Sequence, residues 1–172
     1  MTRDQIRELF REYVFGFIKN DIEREIWLAR KAQHDEAHGV YPGPHPGGGN
    51  VLSALGLVCY TEFVASFEPG RFSTEADRFS AFLKRMGDCY QLLDEQLRTD
   101  TRRKSVYNVF RNGLAHEYFV KGSCTIYMLR GSETCGLGEQ DGRYFFVVEK
   151  YLGDFLSAAR RLEDELIAGA TA

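Results

Sequence analysis

IRELFREYVFGFI, residues 6–18, is the stretch that decides the fold class. Ile6, Leu9, Phe10, Tyr13, Val14, Phe17 and Ile18 recur at i, i+3, i+4, i+7, i+8, i+11 and i+12. That spacing gathers the apolar side chains on one stripe of a helix and leaves the charged residues on the opposite face. The pattern runs on through Ile22, Ile26 and Ala29 toward Gly39, with Asn20-Asp21 as the place for a kink. Trp27 is expected to anchor this first helix to the core.

Working outward, residues 39–50, GVYPGPHPGGGN, hold five glycines and three of the four prolines, and read as a loop after which Asn50 caps the next helix. Val51 to Phe67 is apolar almost all round, as in a helix at the centre of a bundle, and Glu68-Pro69-Gly70 ends it. Thr74 and Asp77 open a third helix whose core face is Phe79, Phe82, Leu83, Met86, Tyr90, Leu93 and Leu97. After a break at Thr99-Asp100-Thr101, a fourth carries Val106, Phe110 and Leu114 and ends before Gly122.

The period then changes. Cys124–Arg130 and Arg143–Val148 are rich in aromatic and β-branched residues and flank a glycine-rich stretch ending in Asp141-Gly142, which predicts a β-hairpin with a long loop. Leu152, Phe155, Leu156, Ala159, Leu162 and Leu166 mark a last amphipathic helix. The predicted fold is mainly α: a single domain over 1–172, a bundle of about five helices with a β-hairpin inserted before the last.

A chain of 172 residues, 44% hydrophobic and 27% charged, has the composition of an ordinary folded domain. Its net charge of −3 excludes a globally basic nucleic-acid binder, so recognition of phosphates must come from local clustering. One cluster exists. Between Arg98 and Lys121, six basic residues (Arg98, Arg102, Arg103, Lys104, Arg111, Lys121) stand against two acidic ones, Asp100 and Glu117. They read either as a solvated helix start or as a phosphate-contacting surface.

Cys59, Cys89, Cys124 and Cys135 are scattered without a CxxC pair, which predicts neither a zinc site nor a disulfide framework and suits a reducing cytoplasm. No export signal is expected from the polar start Thr2–Glu8, and no apolar run reaches the roughly 18 residues of a membrane span.

Arg111-Asn112-Gly113-Leu114-Ala115-His116-Glu117-Tyr118 is the constellation able to do chemistry. An arginine followed by a polar residue, a histidine after four intervening positions and a tyrosine two beyond it resembles the HEPN superfamily. In particular it resembles the R-x4-H-x-Y form of HEPN toxins paired with nucleotidyltransferase antitoxins. The resemblance covers these eight residues and the helical order; the Pro/Gly loop and the hairpin depart from the minimal HEPN pattern. It implies a metal-independent endoribonuclease with no cofactor, formed where two protomers of a homodimer meet, with RNA as substrate. It also implies that Tyr118 is the residue such an antitoxin modifies with AMP.

The residue types suit that reaction. A 2′-hydroxyl must lose a proton to attack the adjacent phosphorus, and a histidine, with an ordinary pKa near ~6.5, exchanges protons at neutral pH. Negative charge gathers on the phosphoryl oxygens, where the forked guanidinium of Arg111 can meet it, and Asn112 can orient either group. On an ideal α-helix five positions turn the chain by ~500°, so Arg111 and His116 should point roughly 140° apart. A symmetric dimer is the expected way to focus both on one phosphate.

Other readings compete. Arginines and histidines on helices usually serve as surface or capping groups, and a HEPN-like domain can be a non-catalytic module that binds RNA, a nucleotide or a protein. A general interaction scaffold is a third class; its binding would be insensitive to salt. His34 and His38, with His45 beyond, are spaced i, i+4 as metal ligands can be, yet His34-Asp35-Glu36-Ala37-His38 does not fit HExxH, and a solvated helix end is preferred. Walker, GxGxxG and GxSxG patterns do not occur.

Overall fold

In a computed structural model, the described residues are 1–40, 49–99, 105–117, 123–131 and 133–170. They form a helical bundle with a small sheet set before the last helix. The first helix, α1, is α-helical over Arg3–Leu9, π-wound over Phe10–Ile18 and α-helical again over Lys19–Ala37. Thr2 caps it, accepting a hydrogen bond from the Gln5 N–H.

The winding changes which residues α1 buries. Ile6, Phe10, Val14, Ile18, Ile22 and Ile26 are buried, a strict row of every fourth residue. In a straight α-helix such a row drifts by roughly 40° per step. The wider π turn runs the drift backward and keeps the row on one face. Gly16 suits this winding, because a Cβ there would lie 3.0 Å from the Arg11 carbonyl oxygen. The predicted stripe is corrected accordingly. Tyr13 and Phe17 leave the core, at 57% and 68% exposure, and Trp27 is 60% exposed rather than an anchor.

Helix α2 spans Asn50–Ala65 and buries Ala54, Leu57, Val58, Thr61, Val64 and Ala65, while Leu52 and Phe63 face outward. Its cap is Gly49, in the left-handed region at φ 89°; Asn50 instead donates its side-chain amide to the Ile126 carbonyl at 3.0 Å. The third predicted helix divides at Gly87, where φ is 149°, into α3 (Glu75–Met86) and α4 (Asp88–Thr99). Thr74 caps α3 as expected, accepting from the Asp77 N–H at 3.1 Å. The fourth, α5, is π-wound over Tyr107–Arg111 and Gly113–Glu117. Helix α6, Val148–Gly169, closes the bundle with Tyr151, Phe155, Ala159 and Leu162 buried.

The sheet corrects the predicted hairpin. Strands β1 (Cys124–Tyr127), β2 (Leu137–Gln140) and β3 (Arg143–Val147) lie in the order β1-β3-β2. The hairpin is β2–β3, turning through Asp141 and Gly142 at φ 53° and 73°, the backbone signature of a two-residue Asp-Gly turn. β1 joins the other edge of β3 in parallel, Thr125 opposite Phe145. The residues between β1 and β2 explain this: Cys135 forms a disulfide with Cys89 at the start of α4, and the Gly136 N–H donates to the Tyr90 hydroxyl at 2.8 Å. The chain is thereby carried to the far edge before it can turn back. The expectation of unpaired cysteines fails for these two; Cys59 and Cys124 remain free.

The inner face of the sheet seats α5. Phe110 packs edge-on to Tyr144 at 5.5 Å between ring centroids, and Phe146 stacks on Tyr151 at 4.8 Å. Phe110 is fully buried, which stabilises the fold by about 1.5–3 kcal/mol and fixes the helix one residue before Arg111. No helix among the described residues is long and apolar enough to cross a membrane.

Candidate functional site

The candidate site sits where α5 crosses α2. In α5 the Asn112 N–H bonds to the Tyr107 carbonyl, five residues back, the hydrogen-bond pattern of a π-helix. Such winding brings residues five apart toward one face, so the predicted divergence of Arg111 and His116, correct for an α-helix, does not occur. Arg111 Nη1 lies 3.3 Å from His116 Nε2 within one chain. A second protomer is not needed to bring the two together.

A guanidinium has only donors, so a hydrogen bond across this contact uses His116 Nε2 as the acceptor. His116 is exposed, open to a large substrate.

Arg111 itself is held on three sides. Its Nε donates to Glu62 Oε2 at 2.7 Å, and its Nη2 is 2.7 Å from the same oxygen. Nη1 also donates to Asn112 Oδ1 at 3.2 Å, and the guanidinium lies 5.5 Å from the centre of the Tyr107 ring. The Tyr107 hydroxyl donates to Glu62 Oε1 at 2.9 Å. Asn112 Nδ2 reaches Asn108 Oδ1 at 3.4 Å, continuing the network down α5.

The electrostatics follow from this crowding. Burial is the largest influence on Arg111 and disfavours its charge, but hydrogen bonding and attraction from Glu62 outweigh it, and its pKa is raised. Burial, seconded by the hydrogen bond to Glu62, raises that of Tyr107. The Cys59 thiol, one turn before Glu62, is pushed up by burial despite Arg111, which makes it a poor nucleophile.

Comparison with protein-family models, curated proteins and solved structures found no match.

Of the residues singled out from sequence, the structure brings Arg111, Asn112 and His116 together. Arg98 stands elsewhere: its guanidinium is taken up by Asp94 at 2.8 Å and Ser80 at 2.7 Å, where it ties α4 to α3. Arg102, Arg103, Lys104, Tyr118, Lys121 and His45 lie outside the described residues. His34 and His38 stack with ring centroids 4.2 Å apart, and His38 Nδ1 is 2.7 Å from the His34 carbonyl, consistent with a helix end. Sequence reasoning missed Glu62 and Tyr107. The signal for Glu62 was present: it is the sole charged residue between Val51 and Phe67, and a charge in a buried helix needs a partner.

Proposed function

We propose that this protein is a metal-independent endoribonuclease of the HEPN type, acting in a toxin or defence system. The observation that carries the reading is the 3.3 Å approach of Arg111 Nη1 to His116 Nε2 within one chain. His116 takes the proton of the RNA 2′-hydroxyl as that oxygen attacks the neighbouring phosphorus and returns it to the departing 5′-oxygen. Arg111 stabilises the charge that builds on the phosphoryl oxygens, and Asn112 orients its Nη1. Glu62 and Tyr107 are positioning residues that hold the guanidinium.

Homodimerisation and AMP transfer to Tyr118 by a nucleotidyltransferase antitoxin belong to this proposal on the resemblance, and RNA contacts by Arg102, Arg103, Lys104 and Lys121 on the clustering of basic residues in the sequence. So does a cytoplasmic setting, where Cys89 and Cys135 would stand as thiols and their pairing would be an oxidative event.

The test is incubation of total RNA with the protein and with His116→Ala in excess chelator, reading fragments on a gel. Cleavage by the native protein alone is expected. Equal cleavage by the variant would refute the role of His116.

One observation favours a second reading, a non-catalytic HEPN-like module. Glu62 already occupies the arginine fork, so four of its five donors are engaged within the chain. A phosphate must displace a carboxylate to reach it. Salt-dependent RNA binding without cleavage would support the module.

A further inference from the structure

The sheet has a second face, and it is not built like a bundle surface. Opposite Tyr144 and Phe146, which are buried against the helices, β1 and β3 turn Tyr127 and Phe145 outward. Arg130 lies over both rings, its guanidinium carbon 4.9 Å from the Tyr127 centroid and 5.5 Å from that of Phe145. Two further contacts fix it: Nε to Glu133 at 2.8 Å and Nη2 to Gln140 at 3.3 Å. Gly138 makes the arrangement possible, because a Cβ there would overlap the Phe145 ring that lies across it.

These side chains line a concavity of about 490 Å³, a size suited to one small ligand group, with Asp141 and Arg143 at its rim. Arg143 is exposed and makes no ion pair among the described residues. The face therefore offers a π-rich cluster, Arg130 over the Tyr127 and Phe145 rings and held by four contacts, and beside it a guanidinium without an ion pair among the described residues. A ligand that uses both is planar and carries negative charge at a short remove, as a nucleotide does. An acidic peptide would answer Arg143 but would leave the stacked platform unused.

We infer that this outer sheet face is a second contact for RNA, stacking a base of a single-stranded stretch on the Arg130–Tyr127–Phe145 platform and holding a neighbouring phosphate at Arg143. Aromatic rings and guanidinium planes are the usual stacking partners of unpaired bases, and they tolerate any sequence. The choice of RNA rests on the ribonuclease reading; the geometry of the platform does not. Phe110 joins the two sites: it precedes Arg111 and packs on Tyr144, whose chain neighbours Arg143 and Phe145 form the outer face.

The experiment separates binding from cleavage by using a fluorescent 2′-fluoro oligouridylate, which has no 2′-hydroxyl to activate. Fluorescence anisotropy measures its affinity for the native protein, Arg143→Glu and Phe145→Leu, with thermal melts to establish that the variants are folded. Arg143→Glu should weaken binding about tenfold or more and reduce the salt slope by roughly one, as expected for a lost phosphate contact. Phe145→Leu, which keeps an apolar side chain over Gly138 but loses the ring, should weaken binding about tenfold while leaving the salt slope unchanged.

Unchanged affinity in both folded variants would overturn the inference. So would failure of the native protein to bind the strand, or stronger binding of a polyglutamate peptide that Arg143→Glu abolishes. Binding that obeys the predictions in a protein that cleaves no RNA would sink the ribonuclease reading and leave the sheet face standing. Cleavage by a protein whose two variants bind like the native form would do the reverse.

Discussion

Glu62 and Arg111 offer the most exacting test of how the site is held. Their side chains are 24% and 20% exposed, and the carboxylate takes two guanidinium contacts at 2.7 Å besides the Tyr107 hydroxyl. A charge-assisted hydrogen bond contributes roughly 1.5–3 kcal/mol net, and partial burial spares this pair most of the screening that weakens surface ion pairs. Glu62→Gln keeps the shape and one acceptor but loses the charge and the second acceptor, so a cost of ~2 kcal/mol is expected. For a chain of this size that lowers the melting temperature by roughly 4–8 °C.

Arg111→Met should cost more, because it leaves a partly buried carboxylate without its cation. In the double variant neither charge remains, and the loss should fall short of the sum of the two singles by at least ~1 kcal/mol. Urea unfolding of the four proteins closes this cycle. Additivity within ~0.5 kcal/mol would refute the claim that Glu62 positions Arg111, whatever the activity assays show.

Two further predictions concern the frame around the site. Asp94, only 4% exposed, accepts from Ser80 Oγ, Arg98 Nε and the Val106 N–H at 2.7–2.8 Å, and so joins α3, α4 and the start of α5. Asp94→Ala should cost ~3–5 kcal/mol in urea unfolding, with Asp94→Asn milder because it can retain the bond to Val106; a cost under ~1 kcal/mol would contradict this role. The Cys89–Cys135 disulfide closes a loop of sequence separation 46, for which chain entropy gives roughly 4 kcal/mol. A thiol reductant should therefore lower the native melting temperature but leave that of Cys89→Ser/Cys135→Ser unmoved, and an equal effect on both would argue against the bond.

Much of the architecture was legible because it rests on periodicity. The buried residues of α3, the buried Leu152, Phe155, Ala159 and Leu162 of α6, the cap at Thr74 and the helix of Val106, Phe110 and Leu114 follow from apolar spacing and turn chemistry that act locally, whereas Tyr151 and Ala158 of α6 are buried outside the expected stripe. The failures have a common physical cause: each depended on a partner remote in sequence or on a departure from regular winding. β1 and β3 have strand composition whichever way they run, and their direction was set by Gly136 and Cys135 reaching α4. Gly87 was hidden inside a continuous apolar stripe, since α3 and α4 both turn their apolar faces to the same core. Trp27 looked like core by residue type, yet its neighbour Ile26 holds the buried row.

The site shows the same division more sharply. Arg111, Asn112 and His116 were legible as residue types at a spacing, but regular helical geometry set them on diverging faces. Two features overcome that divergence, and they act on different partners. The π winding of α5 brings His116 round; the Glu62 carboxylate, 49 residues earlier on α2, draws Arg111 against it. Neither suffices alone. Without the winding, His116 would face away from a guanidinium that is well held; without Glu62, the long arginine side chain would be free to sample other rotamers. An R-x4-H spacing thus becomes a convergent pair in a single chain only where the helix is locally unwound and a second helix supplies the counter-charge. The lone glutamate in an otherwise apolar helix is the sequence mark of the second condition.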